Sequence, residues 1–136
     1  YSLLEQFKTD TDSTLFATDS FWEGVDAPGD TLRLVIITKL PFRMPDDPIY
    51  RARIDKMEAD GKSGFFGLLL PDATMRLKQG YGRLMRHTSD RGIVLILDSR
   101  IVTKGYGQLM LHSLPESYHP ATETSTIGEK IESFLY

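Results

Sequence analysis

The 136-residue sequence contains no cysteine. That excludes disulfides, thiolate metal sites and an iron–sulfur cluster held by this segment, and it is compatible with a reducing, cytoplasmic setting. No apolar run approaches the roughly 20 residues needed to cross a bilayer, so no membrane partner is expected. Basic charge is not in excess: 16 Lys and Arg stand against 19 Asp and Glu, a net charge of −3, and nothing global advertises affinity for nucleic acid. Internal repeats and low-complexity tracts are also lacking. The chain opens on Tyr1 with no initiator methionine and no charged leader followed by an apolar segment, so it reads as a piece of a longer protein with no signal peptide.

What is present suffices for a folded core. Hydrophobic residues make up 40% and charged residues 26%, which excludes a disordered chain. The length suits a single domain spanning residues 1–136 and is too short for two ordinary ones. Charge is unevenly placed. Glu5, Asp10, Asp12, Asp19, Glu23, Asp26 and Asp30 face only Lys8 in the first thirty residues, whereas Arg76, Lys78, Arg83, Arg86 and Arg91 stand against Asp90 farther on.

Two short aliphatic runs, 32–38 (LRLVIIT) and 92–98 (GIVLILD), are nearly continuous rather than alternating. Strands covered on both faces read this way, which predicts a parallel sheet. Residues 14–18 (TLFAT) are a weaker strand candidate. Helices are expected over 47–60, 71–87, 103–113 and 125–135, with Pro48 and Pro71 at two of the starts, where the missing N–H is harmless. Loops are expected over 60–64 and 115–126. Strands alternating with helices predict an α/β layer fold.

Gly61-Lys62-Ser63 resembles the end of a phosphate-binding loop, G-x-x-x-x-G-K-[ST], but the first glycine would fall at Lys56 and a helical pattern precedes it where a strand is required. A plain solvated turn is expected there. The helix over 71–87 is more informative. At about 100° per residue, with Gln79 at zero, Arg83 falls at about 40° and Arg86 at about −20°, while Ala73, Leu77, Tyr81, Leu84 and Met85 cluster on the opposite, core-facing side. One face therefore projects an amide and two guanidiniums along two turns. Gly80 and Gly82 each cost about 1 kcal/mol inside a helix, which suggests close approach of another backbone or a ligand. Planar, permanently charged arginines suit transferring phosphates because they stabilise charge on the equatorial oxygens.

These residues resemble the second motor domain of superfamily 2 helicases of the DinG/XPD-like type. Gln79-Gly80-Tyr81-Gly82-Arg83-Leu84-Met85-Arg86 is similar to the family's arginine-finger motif, and Ser20-Phe21-Trp22-Glu23-Gly24-Val25-Asp26-Ala27-Pro28-Gly29 to its S-F-W-E-G-V-D-x-x-G motif. Thr38-Lys39-Leu40-Pro41-Phe42 matches its K-L-P-F segment and Leu97-Asp98-Ser99-Arg100 its D-x-R strand end, and the likeness covers about residues 13–115. The resemblance implies a three-layer RecA-like α/β domain with a mainly parallel sheet flanked by helices, truncated at its N-terminal strand.

It also implies roles. Arg86 would be the finger reaching the γ-phosphate of ATP held by the first motor domain, with Arg83 as its partner and Gln79 contacting the γ-phosphate or the attacking water. Gly24 would bring its backbone near the nucleotide, Asp26 could accept from a ribose hydroxyl or an arginine, and Glu23 immediately precedes Gly24 in the same motif. Ser20, Thr38, Lys39 and Arg43 would lie along the DNA phosphates. ATP with Mg²⁺, single-stranded DNA and the first motor domain are the implied cofactor and partners, with 5′ to 3′ movement in DNA repair or replication. An iron–sulfur cluster, found in many family members, would have to be held elsewhere in the parent protein.

The residues also admit plainer readings. Glu23 and Asp26 could occupy a turn after a strand, and Phe21 and Trp22 could pack rather than stack on bases. Lys39 and Arg43 could lie in a solvated loop, although strand ends are where α/β proteins bind ligands. Asp98 and Arg100 read as an ion pair ordering a strand end, and His87, His112 and His119, which lack metal-ligand spacing, as surface residues. Without the phosphate loop and the magnesium-binding motif the isolated chain is expected to be inactive, and an exposed sheet edge would favour self-association. The competing function is a non-catalytic nucleic-acid- or protein-binding module that kept the fold and lost the motor. An enzyme acting on a phosphorylated metabolite would need a phosphate loop of its own.

Overall fold

In the computed structural model, which describes residues 2–18, 21, 31–44, 46–84, 91–115 and 124–136, the two aliphatic runs pair as a parallel ladder. Strands β1 (Leu34–Ile37) and β2 (Ile93–Ile96) run in register, Leu34 opposite Ile93 and Ile37 opposite Ile96. The ladder extends one step beyond each end, with the Ile93 N–H donating to the Arg33 carbonyl and the Leu97 N–H to the Ile37 carbonyl, both at 2.9 Å. Parallel neighbours require a long crossover, and here it contains helix α2 (Pro48–Ala59), a π-helical segment (Phe65–Leu69) and helix α3 (Leu70–Leu84). Helices α4 (Arg100–Thr103), α5 (Gly105–His112) and α6 (Thr124–Leu135) follow β2, and α1 (Ser2–Thr9) precedes β1. The result is α/β, with a parallel sheet and helices in alternation.

Side chains alternate across a strand, so Val35, Ile37, Val94 and Ile96 meet one core. That core joins Ile37 and Leu40 to Leu70, Ala73 and Leu77 of α3 and to Ile101, Met110 and Leu111 of α4 and α5. Leu77 and Met110 are fully buried at its centre. On the other face of the sheet Ile36 is 50% exposed, while Leu34, Ile93 and Leu95 are half-buried. Of the two faces the one against α3 is the more deeply buried.

The junction between α2 and the next helix settles the apparent phosphate loop. The Lys62 N–H donates to the Met57 carbonyl at 2.8 Å and the Gly61 N–H to the Glu58 carbonyl at 3.0 Å, the paired bonds that end a helix on a left-handed residue. Gly61 is that residue, with φ +73°, a region that disfavours a Cβ. Ser63 then caps the following helix, its hydroxyl accepting the Phe66 N–H at 3.2 Å. Gly61, Lys62 and Ser63 thus end one helix and start another, and the segment is a turn as expected.

Three sequence expectations are corrected. The helix expected from residue 71 is preceded by a helical path from Gly64 onward, through the π-helical segment, in which the Leu70 N–H reaches back to the Phe65 carbonyl. The wider turn loosens the ladder just where Pro71 lacks its own N–H. The helix expected over 103–113 is two helices, because Lys104 is extended (φ −106°, ψ 140°) and turns the chain between α4 and α5. Residues 14–18 form no strand; Phe16 is 93% exposed, and so short a run holds no ladder without a neighbour that rewards its burial. The expected helix over 125–135 is Thr124–Leu135, and that over 47–60 is Pro48–Ala59. Pro48 opens the latter, and the Asp47 side chain accepts from the Ile49 and Tyr50 amides.

Candidate functional site

The C-terminal ends of the two strands are stitched together by one carboxylate. Asp98, two residues past β2, accepts the Leu40 N–H at 2.9 Å through Oδ2 and the Arg100 N–H at 3.0 Å through Oδ1. The Arg100 guanidinium closes on the same group, Nε lying 3.0 and 3.1 Å from the two oxygens and an outer nitrogen 2.6 Å from Oδ2. The Asp98 side chain is only 8% exposed. The guanidinium hydrogen bonds, and then the two backbone amides, hold its carboxyl well below the usual carboxylate range, although burial alone would raise it. Arg100 also lies 5.6 Å over the Phe42 ring, which stacks on Phe65 and meets Tyr106 edge-on. Asp98 and Arg100 therefore order the strand ends, as expected from the sequence, and are not free to do chemistry.

This stitching fixes where the K-L-P-F residues emerge. Leu40 is buried in the core, and Thr38, Lys39 and Arg43 are exposed around it. Arg43 is held from two sides. Its Nε lies 3.1 Å from Asp72 Oδ2 of α3, and its guanidinium carbon sits 5.7 Å over the ring of Tyr50 in α2. The same Asp72 oxygen lies 3.5 Å from Arg76 Nε, within ion-pair range and long for a hydrogen bond. Tyr50 is itself buried, and burial first, then the Asp72 charge, pushes its phenol above the usual value. The sequence reading missed Asp72, Arg76 and Tyr50. The four-residue spacing of Asp72 and Arg76 on one helix was a legible signal, but the approach of Arg43 from a separate loop was not.

Along α3 the expected amphipathicity holds. Leu70, Ala73, Leu77, Gly80 and Leu84 are buried. Asp72, Arg76, Gln79 and Arg83, spaced four, three and four residues apart, share one edge of the helix. Gln79 is exposed, while Arg76 and Arg83 are half-buried and engage other groups of the chain. Tyr81, expected in the core, is half-buried with a partner of its own. Among the described residues nothing lies within 4 Å of where a Cβ on Gly82 would sit. Beside Gln79, the residues Leu70, Pro71, Thr74, Met75 and Lys78, with Leu109 of α5, line an open, mainly apolar groove of about 660 Å³. Among the described residues Lys78 is the one cation that lines it.

Arg86, Glu23, Gly24, Asp26 and Ser20 lie outside the described residues, as do Trp22, Met85, His87 and His119. Phe21 is 38% exposed, and His112 is exposed as expected. Among the described residues no group of His, Cys, Asp and Glu side chains could hold a metal ion, and no helix is long and apolar enough to cross a membrane.

Residues 1–117 match the helicase C-terminal domain family. The chain belongs to that family. It is 53% identical over 115 residues to the ATP-dependent DNA helicase YoaA of Haemophilus influenzae, covering 85% of this chain and 18% of that protein. It is 49% identical over 129 residues to YoaA of Escherichia coli, covering 95% and 20%. Against the 3′-5′ exonuclease DinG of Bacillus subtilis it is 43% identical over 133 residues, covering 98% and 13%. The chain thus spans a fifth or less of the length of these relatives.

Proposed function

We propose that this chain works as the second, RecA-like motor lobe, a single domain over residues 1–136, of a longer DinG/YoaA-type ATP-dependent DNA helicase. ATP binds between this lobe and another that supplies the phosphate loop, and closure of the pair moves the protein 5′ to 3′ along single-stranded DNA in repair or replication in the cytoplasm. The observation that carries this reading is the family match together with an α3 that buries Leu77 and Leu84 while leaving Gln79 exposed at the edge it shares with Arg83.

Gln79 and Arg83 fit a phosphate presented from outside the chain: the donors are an amide and a guanidinium one helical turn apart. Arg86, on the same face by sequence, is the finger, with Arg83 its partner. The magnesium ion is held mainly by the other lobe, which supplies the phosphate loop and the magnesium-binding motif; when bound, ATP–Mg²⁺ supplies the transferable γ-phosphoryl group. Gly24, Asp26 and Glu23 approach the nucleotide, and Ser20, Thr38, Lys39 and Arg43 follow the DNA backbone. Contacts to phosphates dominate, so affinity for DNA falls steeply with salt. The two strands present sheet edges among the described residues, which supports self-association of the isolated chain.

The test is ATP hydrolysis and strand displacement by the full-length protein with and without single-stranded DNA. DNA-stimulated hydrolysis coupled to unwinding is expected. A full-length protein that binds DNA and hydrolyses no ATP would overturn the motor and leave a binding module with a helicase fold.

A further inference from the structure

Asp72 joins two parts of the site that the chain otherwise keeps apart. Arg43 leaves the end of β1 in the segment that also carries Thr38 and Lys39. Arg76 belongs to α3, the helix that carries Gln79 and Arg83 one and two turns farther on. A single carboxylate oxygen lies 3.1 Å from Arg43 Nε and 3.5 Å from Arg76 Nε. The three side chains differ in access to water: Arg43 is 40% exposed, Asp72 27% and Arg76 17%. The arginine on the strand-end loop is thus the one a ligand can reach, and the one on the helix is mostly enclosed. Tyr50 backs Arg43 from α2, so the exposed guanidinium is held in place by a ring on one side and a carboxylate on the other.

The arrangement has an unequal division: a close pair with Arg43 and a longer one with Arg76. A phosphodiester arriving at the exposed edge competes with Asp72 for Arg43, because both are oxyanions suited to the planar fork. As Arg43 turns outward, Asp72 is left with Arg76 as its only near cation of the two, and that pair shortens. The change is then delivered to the helix that carries the phosphate-facing amide and arginine.

We propose that Asp72 is a positioning residue that couples occupancy of the Arg43 loop by a nucleic-acid phosphate to the setting of α3. This deepens the motor reading given above and rests on it. Asp72 touches neither nucleotide nor DNA; it acts through Arg43 and Arg76. Loss of its charge frees Arg43 while cutting the link to α3. Binding of single strands therefore stays level or tightens, whereas stimulation of hydrolysis by the bound strand falls.

The experiment uses the full-length protein, with an oligothymidine single strand as probe. In Asp72→Asn the hydrolysis rate without DNA stays within about two-fold of wild type, and stimulation by saturating DNA falls about five-fold or more, the lower range of inter-site coupling. The DNA dissociation constant is unchanged or smaller. Asp72→Glu, which keeps the charge, restores part of the stimulation. Should Asp72→Asn fail to fold, Asp72→Ser is read by the same three measurements. Retained stimulation in the folded variant overturns the proposal, as does a parallel loss of basal rate, DNA binding and melting temperature, which would make Asp72 merely structural. If wild-type protein shows no stimulation by DNA at all, the motor reading fails instead, and the two failures are distinct.

Discussion

Asp98 accepts the backbone N–H of Leu40 at 2.9 Å across 58 positions of sequence. This contact closes the ends of two neighbouring parallel strands and decides how the Lys39–Arg43 segment leaves the sheet. Because the Asp98 side chain is 8% exposed, removing it strands a buried amide and a guanidinium together. Asp98→Ala is expected to cost about 1–3 kcal/mol, the range for leaving a buried donor without its partner, read as a lower denaturation midpoint in urea. The pH dependence follows from the direction of its shift. A carboxyl held below its unfolded value stabilises the fold fully above the unfolded carboxylate range, and that contribution is lost as pH falls toward the native value. Stability should thus drop below about pH 4 in the wild type, and this acid limb should flatten in Asp98→Asn. An unchanged acid limb in that variant would assign the effect to other carboxylates.

The bend at Lys104 brings α5 back against α4 so closely that a Cβ on Gly107 would collide with the carbonyl group of Ile101 and the carbonyl oxygen of Arg100. These are backbone atoms and cannot rotate aside. Gly107→Ala should therefore destabilise by about 1–3 kcal/mol, although the same change in an ordinary helix interior would stabilise. Gly105→Ala, two residues earlier and facing open space, is the control that should cost much less. Thermal melts of the two variants, compared by circular dichroism, check the difference.

Much of this fold was legible because it rests on local signals. The aliphatic runs became β1 and β2, Pro48 and Asp47 marked the start of α2, and the spacing of Ala73, Leu77 and Leu84 identified the buried side of α3. What was missed depends on neighbours. Helix α1 is only eight residues long, with Leu3 68% exposed, too short a pattern to separate from a loop. The extended residue at Lys104 is dictated by packing of α4 on α5, not by its own preference. The π-helical entry to α3 occupies Phe65–Leu69, a stretch between the expected loop and the expected helix that carried no assignment, since Ser63 caps while Pro71 marks only the second residue of the regular helix. In the site, the Asp98–Arg100 pair could be read from two letters of spacing, but the Arg43–Asp72 contact spans 29 positions and only the tertiary structure brings it together.

The α3 edge yields a kinetic prediction. In the full-length protein, Arg86→Ala should lower DNA-stimulated ATP hydrolysis by about 10³-fold or more, the lower range for an arginine finger, with nucleotide binding largely intact. Gln79 is exposed, so Gln79→Ala should leave the melting temperature unchanged while lowering the turnover number. Steady-state kinetics with saturating single-stranded DNA, together with binding of a fluorescent ATP analogue, separate these effects. Unaltered turnover in Arg86→Ala would remove the finger role from that residue.

Lys39 tests the DNA track. It is exposed and sits beside Leu40, whose amide Asp98 holds and whose side chain is buried in the core. Its backbone mount is fixed while its ammonium is in water, so substitution should change charge and little else. Lys39→Ala in the full-length protein is expected to weaken single-strand binding to all sequences alike and to reduce the slope of log affinity against log salt by about one unit, the signature of one lost phosphate contact. Titrations at several salt concentrations with an oligothymidine and a mixed-sequence strand measure both. A slope equal to wild type would place Lys39 off the path of the strand and leave the Arg43 side of the loop to carry the backbone contact.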